Sequence, residues 1–347
     1  MKMNKHIELP ITEPMYGTYH HQGPTTAIDV NGNAAKNWCL NQAVNLMCGR
    51  RFLNGLTTPE LSVPGTSLLG TPYMEYITVP TRFTGGYINF IIKKMLDNGY
   101  YVYFESVDDY YVTGKSWYRE RHFMHNGLIC GYDRDDKTYC IYAYDKNWIY
   151  QKFWTPQNAF DAGRRSAEKQ GKFGNICAVK IKDEDVKISV ETIYSKLKQY
   201  LDSDIEKYPF QAEGNVYGIA VLTYISEYVM RLYREVIPYE RMDRRIFRLI
   251  LGDKRVMLER IIKIEETLNF DNKLSEKYRL LVKEADTMRM LYASHHMKRR
   301  DSVLPIISEK LLRLQKNERE ILTELVEKMG KVLENNAVGI SEKQNTK

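Results

Sequence analysis

Apolar residues recur in two different rhythms along this chain of 347 residues. In the first half they come in short runs dense in Val, Ile and Tyr, which predict strands at 100–107, 125–132, 138–144 and 175–181. A helix is predicted at 37–53, where Leu40, Val44 and Met47 keep helical spacing. A second spans 87–97 and is closed by Asn98-Gly99, and a third opens at Thr155-Pro156, an N-cap followed by a first-turn proline. Residues 56–86 are rich in Thr, Pro and Gly and read as a long loop with room for one short strand. A loop that long inside a compact domain is usually functional.

The second half changes to a helical period. Helices are predicted at 190–201 and 214–236, the latter with Val221, Tyr224, Tyr228 and Leu232 along one face. Leu274, Tyr278, Leu281, Ala285, Met288 and Tyr292 alternate steps of four and three, as do Leu304, Ile307, Leu311 and Leu314. Such seams are what an antiparallel bundle buries as its core. The chain therefore divides into an α+β domain at 1–185 and an all-α helical bundle domain at 186–335. The tail at 336–347 reads as disordered.

Composition narrows the class. A chain that is 43% hydrophobic and 27% charged is an ordinary globular protein, which excludes fibrous and wholly disordered classes. Residues 1–10 carry no apolar stretch of a secretory signal, and no run is long enough to span a bilayer. Five scattered cysteines without a CxxC pair argue against a disulfide framework or a zinc site and for a reducing cytoplasm. Residues 1–185 hold 21 basic and 19 acidic side chains, against 30 and 25 in 186–347. Most of the +7 net charge thus belongs to the helical half. A surface around Lys254, Arg255, Lys298, Arg299 and Arg300 would attract an acidic partner, or simply form a solvated face. His295 and His296 read as part of a solvated helix end, and no nucleic-acid motif accompanies the charge.

Two places carry candidate chemistry. Cys39 stands in the first turn of the helix expected from residue 37, where the positive end of the helix dipole favours a thiolate. A structural cysteine is the other reading of that position. Cys48, Cys130, Cys140 and Cys177 lie inside apolar patterns and read as core. His125 begins a strand that turns at 133–137 and returns to Asp145. A symmetric hairpin sets His125 opposite Asp145, where the carboxylate would fix the imidazole tautomer. A turn one residue different pairs His125 with Tyr144 instead. His122 competes with His125 but lies outside the hairpin.

An early helix-start Cys, a His-led strand and an Asp closing the next strand follow the papain-like order. More specifically, Asn98-Gly99-Tyr100-Tyr101-Val102 through Val107-Asp108-Asp109-Tyr110-Tyr111, then His125, Gly131-Tyr132-Asp133 and Tyr144-Asp145, resembles the butirosin biosynthesis protein H family. The resemblance covers roughly residues 30–180, and the helical remainder also resembles the second domain of that family. It implies a papain-like catalytic domain, with Cys39 as nucleophile, His125 as base and acid, and Asp145 as orienting acid. It also implies acyl transfer from an acyl or peptidyl carrier-protein thioester to a small amine in natural-product biosynthesis, with no cofactor or metal in the protein itself. Related papain-like enzymes include bacteriocin-leader peptidases and the amide synthetase of closthioamide assembly. Relatives often place a His before the cysteine, where this chain has Trp38. Asn33 could donate to the oxyanion together with the Cys39 backbone N–H, or serve as a plain turn residue. With water in place of the amine the same site is a thioesterase or peptidase. A non-catalytic binding protein on the same fold is a third reading.

Overall fold

Tyrosine- and valine-rich runs pair into one antiparallel sheet. The computed structural model describes residues 4–19, 21–30, 32–55, 57–66, 70–203 and 214–344, with the backbone alone over 336–344. The chain divides into two compact units, 1–36 with 67–186 and 37–66 with 187–347. The architecture is mixed α+β: a sheet-rich N-terminal region is followed by a C-terminal helical bundle.

In the first unit the sheet runs in the order β3 (Met74–Pro80), β8 (Asn175–Ile181), β4 (Tyr101–Asp108), β5 (Met124–Asp133), β6 (Thr138–Tyr144), β7 (Tyr150–Pro156). β1 (His6–Glu8) pairs with the second half of β5, where Ile7 faces Tyr132. The spacing of two sorts side chains onto opposite faces. Val102, Phe104, Ile129 and Ile141 join Ile88, Ile92 and Leu96 of α3 (Ile88–Asp97) and Phe160 of α4 (Gln157–Lys169) in one core. The alternate positions carry tyrosines that donate to carbonyls of the N-terminal segment, Tyr101 to Pro10 and Tyr144 to Gly17, each at 2.5 Å.

Several expected elements change. The helix expected at 37–53 is instead α2 (Ala34–Gln42), followed by β2 (Met47–Gly49) and a 3-10 turn at Arg51–Asn54. β2 pairs with β9 (Asn215–Tyr217), so a partner far along the chain overrides the local helical spacing of Val44 and Met47. The Thr/Pro-rich stretch holds β3, a full seven-residue partner of β8. β7 was not expected, and it leads directly into α4.

The second unit buries the seams. α9 (Val303–Gln344) packs on α5 (Val190–Leu201), α6 (Ala220–Tyr233) and α8 (Lys273–Lys298), and α8 packs on α7 (Ile246–Leu268). α9 runs to Gln344 and so includes part of the tail expected at 336–347; residues 345–347 lie outside the described ones. Among the described residues, Arg260 and Lys254 are buried cations of this unit. Arg260 donates from Nε to the Leu40 carbonyl at 2.7 Å and from Nη2 to that of Ala43 at 2.8 Å, which satisfies the C-terminal end of α2. Lys254, expected on a basic surface, is fully enclosed between Glu318 at 2.7 Å and Asp253 at 2.9 Å, with the Tyr200 hydroxyl at 3.1 Å. Glu318 occupies an inward position of α9, so a lysine facing it must also point inward. His295, expected in a solvated cap, is buried too. Among the described residues no helix is long and apolar enough to cross a membrane.

Replacing Arg260 with Leu strands the Leu40 and Ala43 carbonyls in a dry interior. The expected loss is about 2–5 kcal/mol of unfolding free energy, read from the urea midpoint. A midpoint equal to that of the wild type would contradict this role.

Candidate functional site

β4 ends in two adjacent acids, and both are buried. Phe104 pairs with Gly127 and Val107 with His125, so β4 carries one extra residue between those pairs. The bulge brings Asp108 and Asp109 to the open end of the β4–β5 pair, where β5 begins. Asp109 N–H donates to the Phe123 carbonyl at 2.9 Å, closing the loop that contains the intervening residues.

Asp108 organises that loop. Its Oδ1 accepts from the backbone N–H of Tyr110 at 3.2 Å and of Phe123 at 3.1 Å. Its Oδ2 accepts from His122 Nδ1 and from the Ser166 hydroxyl of α4, each at 2.7 Å. Burial pushes this carboxyl up, but the bonds from Ser166, His122 and the two backbone N–H groups outweigh it and hold the group below its ordinary value.

Asp109 is spent differently. Its Oδ2 accepts from Nδ1 of His125, and its Oδ1 lies 3.7 Å from the ammonium of Lys115. The Asp109 and Lys115 side chains are each 3% exposed, while the His125 ring is 24% exposed. With Nδ1–H given to the carboxylate, the neutral ring carries its remaining lone pair on Nε2. Phe123 lies edge-on to the imidazole at 4.4 Å. His122 forms the second His–Asp pair, but it is half exposed, stacks on Tyr110 at 4.4 Å and shares its acid with Ser166. His125 is the better shielded of the two imidazoles, and the other oxygen of its carboxylate faces the Lys115 ammonium at 3.7 Å.

Asp145 does not orient His125. Leu128 pairs with Tyr142 and Ile129 with Ile141, the register that leads from His125 to Asp145. Yet Asp145 lies one residue past β6, and its carboxylate closes its own turn. Oδ1 accepts from Asn147 N–H at 2.8 Å and Ile149 N–H at 2.9 Å, and Oδ2 from Gln151 Nε2 at 2.7 Å. Nearby backbone donors therefore take the oxygens that the hairpin register offered to the imidazole. The acid on His125 comes from the other neighbouring strand. Asp109 was missed as an acid, although two adjacent carboxylates closing a Tyr/Val-dense strand are a visible anomaly.

Cys39 belongs to the second unit, while His125, Asp109, Asp145 and Asn33 belong to the first. Because α2 starts at Ala34, Cys39 is its sixth residue and lies beyond the first turn, where the dipole acts. Its backbone N–H is likewise past the four left free at a helix start and is not open to an oxyanion. The residue is 2% exposed, and burial pushes its thiol up to about 12 against the opposing charge of Arg260. Cys48, Cys130, Cys140 and Cys177 are free and buried as expected. Asn33 is exposed immediately before α2, and the first turn is held by Asp29 Oδ2, which accepts from Ala35 N–H at 2.8 Å. Among the described residues no cluster of His, Cys, Asp or Glu could hold a metal ion.

No protein-family model matches the chain, and no curated protein matches it.

The depressed Asp108 carboxyl sets a pH dependence. Its contribution is present above the unfolded carboxylate value of 3.8 and is lost as pH falls through the lower folded value. The gap in urea midpoint between wild type and Asp108→Asn is expected to narrow as the pH is taken from neutral to below that value. A gap that stays constant would contradict the linkage.

Proposed function

We propose that the protein is a thiol-dependent acyltransferase with a papain-like N-terminal domain, forming an amide from a carrier-protein thioester and a small amine. The observation that carries this reading is the buried carboxylate of Asp109 on Nδ1 of a partly exposed His125. Cys39 is the nucleophile that the resemblance to the butirosin biosynthesis protein H family assigns. Asp109 takes the orienting role first expected of Asp145.

The chemistry follows from protonation states. A thiol held at about 12 is uncharged at neutral pH, so its proton must leave as the S–C bond forms. The Nε2 lone pair of His125 is the base for that proton, and Asp109 stabilises the imidazolium that results. The proton then goes to the departing pantetheine sulfur as the thioester C–S bond breaks. In the second half, Nε2 takes a proton from the amine as nitrogen attacks the acyl-enzyme, and it returns that proton to the Cys39 sulfur. The Asn33 side-chain amide is the proposed donor to the oxyanion.

A second reading is favoured by the burial of Cys39. In it the His125–Asp109 pair activates water directly, as a hydrolase of thioesters or peptides without a covalent intermediate.

The test is intact-protein mass spectrometry with an acyl-loaded carrier protein, followed by addition of amines. An acyl adduct is expected on the wild type and not on Cys39→Ala. His125→Ala and Asp109→Asn are expected to lower kcat/KM by about 10²–10⁴-fold, and Asp145→Asn by less than about tenfold. Turnover that survives Cys39→Ala without an adduct would establish the hydrolytic reading instead. Neither adduct nor turnover would overturn both.

A further inference from the structure

The loop between β4 and β5 turns one lysine inward. Gly114 has a φ of +91°, and a Cβ there would lie 2.6 Å from the Phe153 ring, so both backbone and space call for glycine. The next residue is Lys115, whose N–H donates to the Val112 carbonyl and whose own carbonyl accepts from Tyr118 N–H. These turns fix its backbone while the side chain enters the interior. Among the described residues no acceptor lies within ordinary hydrogen-bond distance of the ammonium. Its surroundings are the Phe153 ring of β7, with the centroid at 5.9 Å, and Asp109 Oδ1 at 3.7 Å. A lysine is seldom enclosed unless it faces an opposite charge. Burial pulls its pKa down and Asp109 pushes it back up.

We propose that Lys115 is a positioning residue for the His125–Asp109 pair: its ammonium holds the Oδ1 side of Asp109, leaves Oδ2 turned to the imidazole, and sets the pH at which His125 gives up its proton. The consequence for turnover rests on the acid–base role proposed for His125; the consequence for its titration does not.

Other charged groups lie beside the pair among the described residues. Asp108 and His122 form the adjacent pair, with Ser166 of α4 on the same Asp108 oxygen. Arg121 lies over the Phe123 ring at 5.7 Å, and that ring edges against His125. None of these groups touches Oδ1 of Asp109. The sign of the effect is then fixed. Uptake of one proton by the imidazole–carboxylate pair is opposed by a nearby cation, wherever within the pair the proton resides. Removing the cation must raise the midpoint.

The experiment follows His125 through its titration by ¹H–¹⁵N imidazole correlation spectra in wild type, Lys115→Met and Lys115→Arg. The midpoint is expected to rise by about one pH unit in Lys115→Met and to return most of the way in Lys115→Arg. The acid limb of the kcat/KM profile should move by the same amount. If Lys115→Met does not fold, Lys115→Gln, one atom shorter, keeps N–H donors without the charge and is read in its place. An unchanged or lowered midpoint in a folded neutral variant overturns the proposal. Absence of acyl transfer in the wild type would count against the proposed function alone, because the spectra are still read.

Discussion

Two neighbouring carboxylates buried at the end of one strand dictate the local structure around them. A charge removed from water has to be met by donors or an opposite charge, and Asp108 and Asp109 are met by different sets. Asp108 takes two backbone N–H groups, His122 and Ser166, which ties the β4–β5 loop to α4. Asp109 takes His125 and faces Lys115. The oriented imidazole is thus one outcome of how the second acid is satisfied.

The helical unit follows the same rule with cations. Arg260 reaches the last carbonyls of α2, and Lys254 faces Glu318 within the bundle. The first of these contacts also bears on chemistry, since the cation lies near Cys39 and only partly offsets the effect of burial on its thiol. A sulfur in that state is inert until a base removes its proton. On the acyl-transfer reading, reactivity therefore turns on the imidazole rather than on an activated thiolate.

Much of the fold could be read from the chain, because the strands at 138–144 and 175–181 and the helix at 190–201 are specified by their own spacing. So are the seams of α8 and α9, all of whose named positions are buried. What escaped depends on partners distant in sequence. β3 looks like a loop until β8 is beside it, and β2 looks like helix until β9 is. Lys254 reads as surface because its partner, Glu318, sits on another helix. The hairpin register near His125 was legible too. The acid on His125 was not, because the choice between Asp145 and Asp109 is decided by backbone donors that take up the first and a bulge that delivers the second.

The central claim is that Asp109 holds Nδ1 of His125. A low-field proton NMR signal assigned to the His125 Nδ1–H tests it most directly, compared in wild type, Asp109→Asn and Asp145→Asn. The signal is predicted in the wild type and in Asp145→Asn and is predicted to vanish or move sharply upfield in Asp109→Asn. A signal that persists in Asp109→Asn and disappears in Asp145→Asn would contradict the account.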